Sequence, residues 1–308
     1  MNLTVVLPAF NESSNITRVL TELEQILQGC EFIQGFDIIV VDDHSSDSTY
    51  DLASGHSERV RCLRLSRRSG SHTALRAGLQ ASTGDAVLCI SADGQDSPTV
   101  LRSMIEKLQA GADTVWALRT KREEPWQTKL FAEMFYRILN IFTGQMNNGI
   151  DYSRADFYLL NRKVVRAINS CPEASTSLFG LIIWMGFRQE SVDYDRRERF
   201  SGRSKWTMSS RMKLAKDWII AFSGIPLKLM GYLGILLAVL GFLYTLFIIA
   251  YSLLGYATPG WAETVVLVLV LGGSQLMMLG VLGEYLWRTL DETRRRPLYF
   301  LEKDSKEP

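Results

Sequence analysis

Five short apolar runs punctuate the N-terminal part of the chain: LTVVL at 3–7, DIIVV at 37–41, RCLRL at 61–65, AVLCI at 86–90 and TVWAL at 114–118. Each has the length and composition of a strand. Between them the period becomes helical, most clearly where Ile16, Val19, Leu20, Leu23, Ile26 and Leu27 share one helix face. SSDSTYDLA (45–53), SHTALRAGLQAS (71–82) and SPTVLRSMIEKLQ (97–109) open further helices. Strands alternating with helices over short links predict an α/β fold, an open and mostly parallel sheet with helices on both faces. Ligands of such sheets bind outside the carboxyl ends of the strands. Those ends are 8–12, 42–47, 66–70 and 91–96, so the polar clusters all fall on one edge.

The pattern then changes. No charged residue occurs between Lys228 and Glu263, nor between Glu263 and Glu284. About 20 apolar residues cross a bilayer as a helix, so the two intervals predict a two-helix transmembrane hairpin with spans at about 229–254 and 264–286. The link GYATPGWAE holds no Lys or Arg, whereas Lys213, Lys216 and Lys228 precede the first span and RTLDETRRRP follows the second. The positive-inside rule then keeps both flanks cytosolic. Two amphipathic stretches precede the hairpin. In 206–222, Trp206, Met208, Met212 and Trp218 mix with Arg211, Lys213 and Lys216, the composition of a helix lying in a membrane interface. For 128–144 an interfacial helix and a helix packed on the sheet fit the pattern equally. The expected organisation is a cytosolic α/β domain at 1–205, a juxtamembrane interfacial helix at 206–228, two spans within 229–287, and a basic cytosolic tail at 288–308 whose last eight residues, LEKDSKEP, read as disordered.

Composition narrows the function classes. The chain has 308 residues, 47% apolar, enough for a sizeable core, and a net charge of +1 that argues against a general nucleic-acid binder. Four scattered cysteines (Cys30, Cys62, Cys89, Cys171) and three histidines give no zinc-ligand spacing, and the thiols read as reduced. MNLTVVLPAFNESSN lacks the basic start and long apolar run of a signal peptide. No G-x-G-x-x-G follows the first strand, and no P-loop or G-x-S-x-G occurs anywhere, which disfavours dinucleotide oxidoreductases, P-loop NTPases and α/β-hydrolases. What remains is a sheet edge with acidic strand ends and a later basic cluster, RRERFSGRSKW (196–206). Carboxylates bind a divalent cation or a ribose, and Arg and Lys bind phosphates. Together they suit a nucleotide diphosphate.

VVLPAFNES (5–13), IIVVDDHSSDST (38–49), SADGQDSP (91–98) and RFSGRSKW (199–206), in that order and ahead of two spans, resemble the family 2 glycosyltransferases of GT-A (Rossmann-like) fold. More narrowly they resemble the polyprenyl-phosphate glycosyltransferases, the group of dolichol-phosphate mannose synthase and bactoprenol glucosyltransferase. By that resemblance Pro8, Phe10 and Glu12 hold the base and ribose of a nucleotide sugar, and Val41 and Asp43 contact the base. Ser91, Ala92, Asp93 and Gln95 match the D-x-D-x-Q stretch that holds a metal, Mg²⁺ or Mn²⁺ on Asp93 and Gln95, together with the diphosphate. Arg119, with Arg122 nearby, matches an arginine that reaches the sugar or phosphate, and Asp156 an acidic position facing the reacting centre. Arg199 and Lys205 match a basic loop that closes on the phosphates. Departures are Ser91 for the first metal-site Asp, Gly94 for an apolar residue, Ser69 for an asparagine, and Tyr158 and Asn161 for Arg and Asp.

The residues have competing readings of their own. Asp42 and Asp47 read as caps of the helix after the second strand, and Asp43 as functional because Asp47 and its serine neighbours can serve the cap. Arg196 and Arg197 read as solvated surface charge, whereas Arg199 and Lys205 bracket a Gly202 turn that aims both at one point. Asp156 opens DFYLL and suits a turn as well as a site. The resemblance implies an inverting enzyme of a bacterial inner membrane that moves a sugar from a donor such as UDP-glucose to undecaprenyl phosphate. The alternatives are a processive polysaccharide synthase and a membrane-anchored nucleotide-sugar-binding protein. Homo-oligomerisation stays open.

Overall fold

Strands form where the apolar runs predict them, and three more join. The computed structural model describes residues 1–96, 98–120, 150–171, 173, 177–197, 225–254 and 260–306. Among them are β1 (Asn2–Ala9), β2 (Gly35–Asp42), β3 (Val60–Leu65), β4 (Ala86–Cys89), β5 (Thr114–Arg119), β6 (Ala155–Asn161), β7 (Gln189–Tyr194) and β8 (Leu301–Asp304). They make one sheet in the order β7-β5-β6-β4-β1-β2-β3-β8. Leu3, Thr4, Val5, Val6 and Leu7 are consecutively buried, because a strand covered on both faces has no solvent side. Among the described residues before 198 the α-helices are α1 (Ile16–Gln28), α2 (Thr49–Ser54), α3 (Ser71–Ala81), α4 (Leu101–Gln109), α5 (Arg162–Ser170) and α6 (Leu178–Trp184). α1 buries Ile16, Val19, Leu20, Leu23 and Leu27, each contributing about 1.5–3 kcal/mol of burial. α3 lies so close to the sheet that a Cβ on Gly78 would stand 2.3 Å from Val6 and 3.2 Å from Val41.

Strand direction decides where the chemistry falls. β1 pairs in parallel with β2 and β4, β2 with β3, and β5 with β7, while β6 runs antiparallel between β4 and β5. The carboxyl ends of β1 to β5 and β7 therefore share one edge with the amino end of β6. β4 and β5 are not neighbours in the sheet. Instead β6 is inserted between them, and its first residues arrive at the binding edge.

The expected disorder of 301–308 is corrected for 301–306. β8 pairs antiparallel with β3, Arg61 grips Asp304 through two nitrogens (Nε–Oδ1 3.0 Å), and Cys62 and Ser305 exchange hydrogen bonds of 2.8 and 3.0 Å. Pairing and charge complementarity with β3 order a segment whose composition alone reads as a tail. One compact unit accordingly joins Met1–Ala215 with Pro297–Pro308, and Lys216–Arg296 forms the other.

The second unit contains α7 (Ile225–Leu253) and α8 (Trp261–Thr293). Leu229–Tyr251 reaches a mean hydropathy of 2.6 and Thr264–Thr293 of 2.3, and neither window is buried within the protein. α8 continues well past the uncharged run, with an Arg288–Glu284 pair on its polar extension. The expected interfacial helices at 128–144 and 206–222 lie outside the described residues. All four cysteines are free.

Candidate active site

The loops after β1 and β2 are laced together. Asp43 N–H donates to Ala9 O (2.9 Å), Asn11 N–H to Ser45 Oγ (2.9 Å), Ser46 N–H to Asn11 Oδ1 (2.8 Å) and Glu12 N–H to Thr49 Oγ1 (2.9 Å). Asn11 and His44 both take left-handed backbone conformations, φ 52° and 58°, the strained region where binding loops collect. The Arg68 guanidinium covers the Phe10 ring at 4.1 Å, Glu12 on the same loop accepts from Asn15 Nδ2 (2.7 Å), and Pro8 lies near the end of β1, paired with Val41. Asp43 accepts Ser69 N–H (2.6 Å) and Gly70 N–H (2.8 Å), tying the β2 and β3 ends together. Burial raises its pKa against the pull of those bonds. Val41 is elsewhere: its side chain is fully buried and faces α3. Asp47 serves the start of α2 through Thr49 N–H (3.0 Å), but Asp42 instead bonds Ser45 N–H (3.1 Å) and Arg64 (2.8 Å).

The segment after β4 closes on itself. Ser91 Oγ lies 2.6 Å from Asp93 Oδ1 and 2.8 Å from Asp96 Oδ2, and Gln95 N–H donates to Asp93 Oδ1 (3.1 Å). Gly94 occupies φ 73°, which an apolar side chain would resist, so the departure at this position serves the turn. Ser91 thus bridges two carboxylates, and Ala92 is core. From β7, Tyr194 OH reaches Asp96 Oδ1 (2.9 Å) and Asp156 Oδ2 (2.7 Å). Arg119 Nε stands 3.0 Å from Asp156 Oδ2 at an angle that makes it a charge contact more than a hydrogen bond. Arg196 stands 3.5 Å from Asp96 and 3.7 Å from Asp156.

Arg196 is therefore no solvated surface charge. Burial works against its cation, yet Asp156 and Asp96 raise its pKa. Arg197 is more exposed and pairs with Glu22, while its N–H donates to Gln95 O (3.0 Å). Tyr194 and Arg196 lie outside the sequence-derived site set, since β7 carries little apolar signal. Burial raises Asp156, opposed by Arg119 and Arg196, and pushes Asp96 up to about 6, with Asp156 adding to the effect. Tyr158 and Asn161 have structural duties. Tyr158 packs on Trp116 (5.0 Å between centroids), and Asn161 Oδ1 caps α5 by accepting Val164 N–H (2.9 Å). Arg122, Arg199 and Lys205 lie outside the described residues.

Three carboxylates, Asp93, Asp96 and Asp156, here meet two guanidiniums, Arg119 and Arg196, an excess of one negative charge. A diphosphate would add to that excess, so the donor set suits a hard divalent cation sharing oxygen ligands with phosphate. Among the described residues no cluster of three His, Cys, Asp or Glu side chains has the geometry of a metal site.

The buried acids set a pH dependence. Asp37, Asp43, Asp96 and Asp156 all have raised pKa values with burial as the largest cause. The unfolded chain releases these protons near pH 3.9, so their stabilising contribution is complete below that pH and is lost as pH rises through the folded values. Asp47, Glu302 and Asp304 are lowered and titrate below this window. Buried His72 has a lowered pKa and acts in the opposite sense over the same interval, so the comparison is with Asp96→Asn: in EDTA and without donor, urea unfolding should show the stability at pH 5.5 relative to pH 7.5 to be about 1 kcal/mol greater in the wild type than in that variant. An equal pH dependence in the two proteins contradicts the burial of Asp96.

The sequence profile of glycosyl transferase family 2 matches residues 4–167. An uncharacterized glycosyltransferase of Synechocystis sp. is 37% identical over 307 residues, covering 98% of this chain and 95% of that protein. A prophage bactoprenol glucosyl transferase homolog of Escherichia coli K12 is 35% identical, covering 99% of this chain and 100% of that protein. Among solved structures, glucosyl-3-phosphoglycerate synthase of Mycobacterium tuberculosis, in complex with Mn²⁺, UDP and phosphoglyceric acid, superposes with a TM-score of 0.51 at 19% identity over 71% of this chain and 76% of that one. Mannosyl-3-phosphoglycerate synthase of Rubrobacter xylanophilus gives 0.52 at 18% identity over 72% and 73%. At such identities the likeness concerns the fold, which is GT-A.

Proposed function

The chain belongs to glycosyl transferase family 2, and from that we propose that it is a membrane-bound enzyme moving a sugar from a nucleotide-sugar donor, UDP-glucose or a close relative, to the phosphate of a polyprenyl lipid with inversion. The observation that carries this reading is the meeting of Asp93, Asp96, Asp156, Arg119 and Arg196 on one sheet edge, in a chain that also has two long, exposed apolar helices. The names of the bactoprenol glucosyl transferase relatives support the acceptor class.

As the anomeric carbon is attacked, negative charge develops on the departing diphosphate. Arg196 and Arg119 are fixed by carboxylates before substrate arrives, so their charge needs no reorganisation at the reaction step. Arg199 and Lys205 would close on the same phosphates. A bound Mg²⁺ or Mn²⁺, held by Asp93 with Gln95 beside it, supplies further positive charge to the diphosphate. The acceptor phosphate monoester has its second pKa near 6 and is mostly dianionic at pH 7. Asp156 then orients the acceptor and holds the arginines more than it removes a proton. Tyr194, whose pKa is raised by burial and the two acids, stays a hydrogen-bond donor to Asp156.

We place the enzyme in a bacterial inner membrane with the sheet on the cytosolic side. β8 supports this topology: the chain passes through both apolar helices and then rejoins the sheet it left, which requires an even number of crossings. Membranes containing the protein, given radiolabelled UDP-glucose and undecaprenyl phosphate, should form a labelled lipid monophosphate-sugar that disappears with EDTA and returns with Mn²⁺ or Mg²⁺. A labelled polymer would indicate a processive synthase. Donor binding with no product would indicate a binding protein.

A further inference from the structure

β8 does more than fill the sheet edge. Its register against β3 runs Leu63 with Asp304 and Arg64 with Lys303, then shifts to Leu65 with Leu301. Glu302 is the extra residue of this bulge, the device by which a strand re-aims a side chain. It is aimed at Arg64: Arg64 Nε donates to Glu302 Oε2 at 3.0 Å. The other two nitrogens of the same guanidinium leave β3 for the loop after β2, Nη1 to Asp42 Oδ2 (2.8 Å) and Nη2 to Ser45 O (2.9 Å). Glu302 Oε2 also lies 3.3 Å from Nδ1 of His44, which sits 3.2 Å from Leu65 O. Asp42 holds Ser45 N–H (3.1 Å), and Ser45 Oγ accepts Asn11 N–H (2.9 Å). A continuous chain of polar contacts therefore links the strand that follows the hairpin to both strained loop residues, His44 and Asn11.

We propose that Glu302 and Arg64 are positioning residues for donor binding, and that β8 clamps the 42–47 loop into the shape that receives the nucleoside diphosphate. The proposal rests on the reading of the β1 and β2 loops as the nucleotide site. Glu302 fixes the plane of the Arg64 guanidinium, Arg64 fixes Asp42 and the Ser45 carbonyl, and Ser45 fixes Asn11. Neither positioning residue needs to touch the ligand. A guanidinium is suited to the task because its donors form a rigid fork, so orienting one nitrogen orients all of them.

The test uses the full-length protein in nanodiscs, with UDP and Mn²⁺ as probes. In Glu302→Gln, the UDP dissociation constant and the donor KM should rise about fivefold with kcat within about twofold, the size expected from weakening one charged hydrogen bond in a preorganised loop. A chain ending at 300 should lose about tenfold or more in UDP affinity, and a synthetic peptide of residues 297–308 should restore it in a concentration-dependent way. Amide hydrogen exchange across 42–49 should quicken in both variants while β1 stays protected, which separates loop loosening from unfolding. Unchanged exchange in that loop overturns the clamp whatever the ligand. Loosened exchange with unchanged UDP affinity and KM, or a fall in kcat alone, overturns the positioning role. A wild-type protein that binds no nucleotide overturns the donor reading and, with it, the assignment of the clamp to donor binding.

Discussion

Replacing Asp156 by asparagine is expected to lower sugar transfer by about 10²–10³-fold while nucleotide affinity stays within about threefold. Asparagine keeps the shape and can still meet the Tyr194 hydroxyl, so the change isolates charge. What is lost is the anion between Arg119 at 3.0 Å and Arg196 at 3.7 Å. Without it both guanidiniums are free to swing toward the nearer carboxylates or toward the diphosphate ground state, and their alignment with the leaving group loosens. On the proposed function the acceptor phosphate also loses the group that orients it. Donor binding is spared because Asp43, Glu12 and the Phe10–Arg68 stack belong to other loops. Steady-state transfer with labelled donor, together with calorimetry of UDP binding, separates the two quantities. Wild-type turnover would remove Asp156 from the reaction, and an equal loss of UDP affinity would make it a donor ligand instead.

Excising 225–296 and joining the ends through a flexible Gly/Ser linker should cut transfer to bilayer-embedded polyprenyl phosphate by about 10²-fold or more. On the proposed function the two helices hold the catalytic unit at the surface where the acceptor lies. Without them each turnover needs a fresh encounter with the membrane. UDP affinity should be unchanged, because this excision keeps 297–306 and therefore β8. A simple truncation after 224 would remove β8 as well and confound anchoring with the donor loop. Transfer to a water-soluble short-chain isoprenyl phosphate should survive within about fivefold, since the site itself is intact. Full activity on vesicle-bound lipid without the helices would refute the anchoring role.

Much of the scaffold was readable from local pattern. β1 to β5 are runs of Val, Ile and Leu because strands buried on both faces have no polar side to dilute the signal. β7 escaped notice for the opposite reason: QESVDY sits at the sheet border and contributes one fully buried side chain, Tyr194. Missing β7 meant misjudging Arg196, which follows it into the acidic cluster. Asp156 stayed balanced between turn and site because its placement depends on β6 running against its neighbours, a property of topology that no short window carries. Val41 and Asp43 are adjacent, and strand alternation sends one into the core and the other toward the edge. LEKD resembles a tail, and only the partners Arg61 and Arg64, far away in the chain, make it a strand.

The distance between those partners has a consequence for biogenesis. Arg61 and Asp304 are 243 residues apart, so β8 emerges from the ribosome only after both long helices. Until then β3 is a nascent border with unpaired N–H and C=O groups, open to pairing with another chain. On the proposed topology, closing it requires the hairpin to have inserted and returned. A chain whose second helix failed to cross would leave β8 on the far side of the bilayer, its sheet permanently open and visible to proteases and chaperones. On the proposed topology, completion of the sheet by the four residues of β8 would report that both helices have inserted.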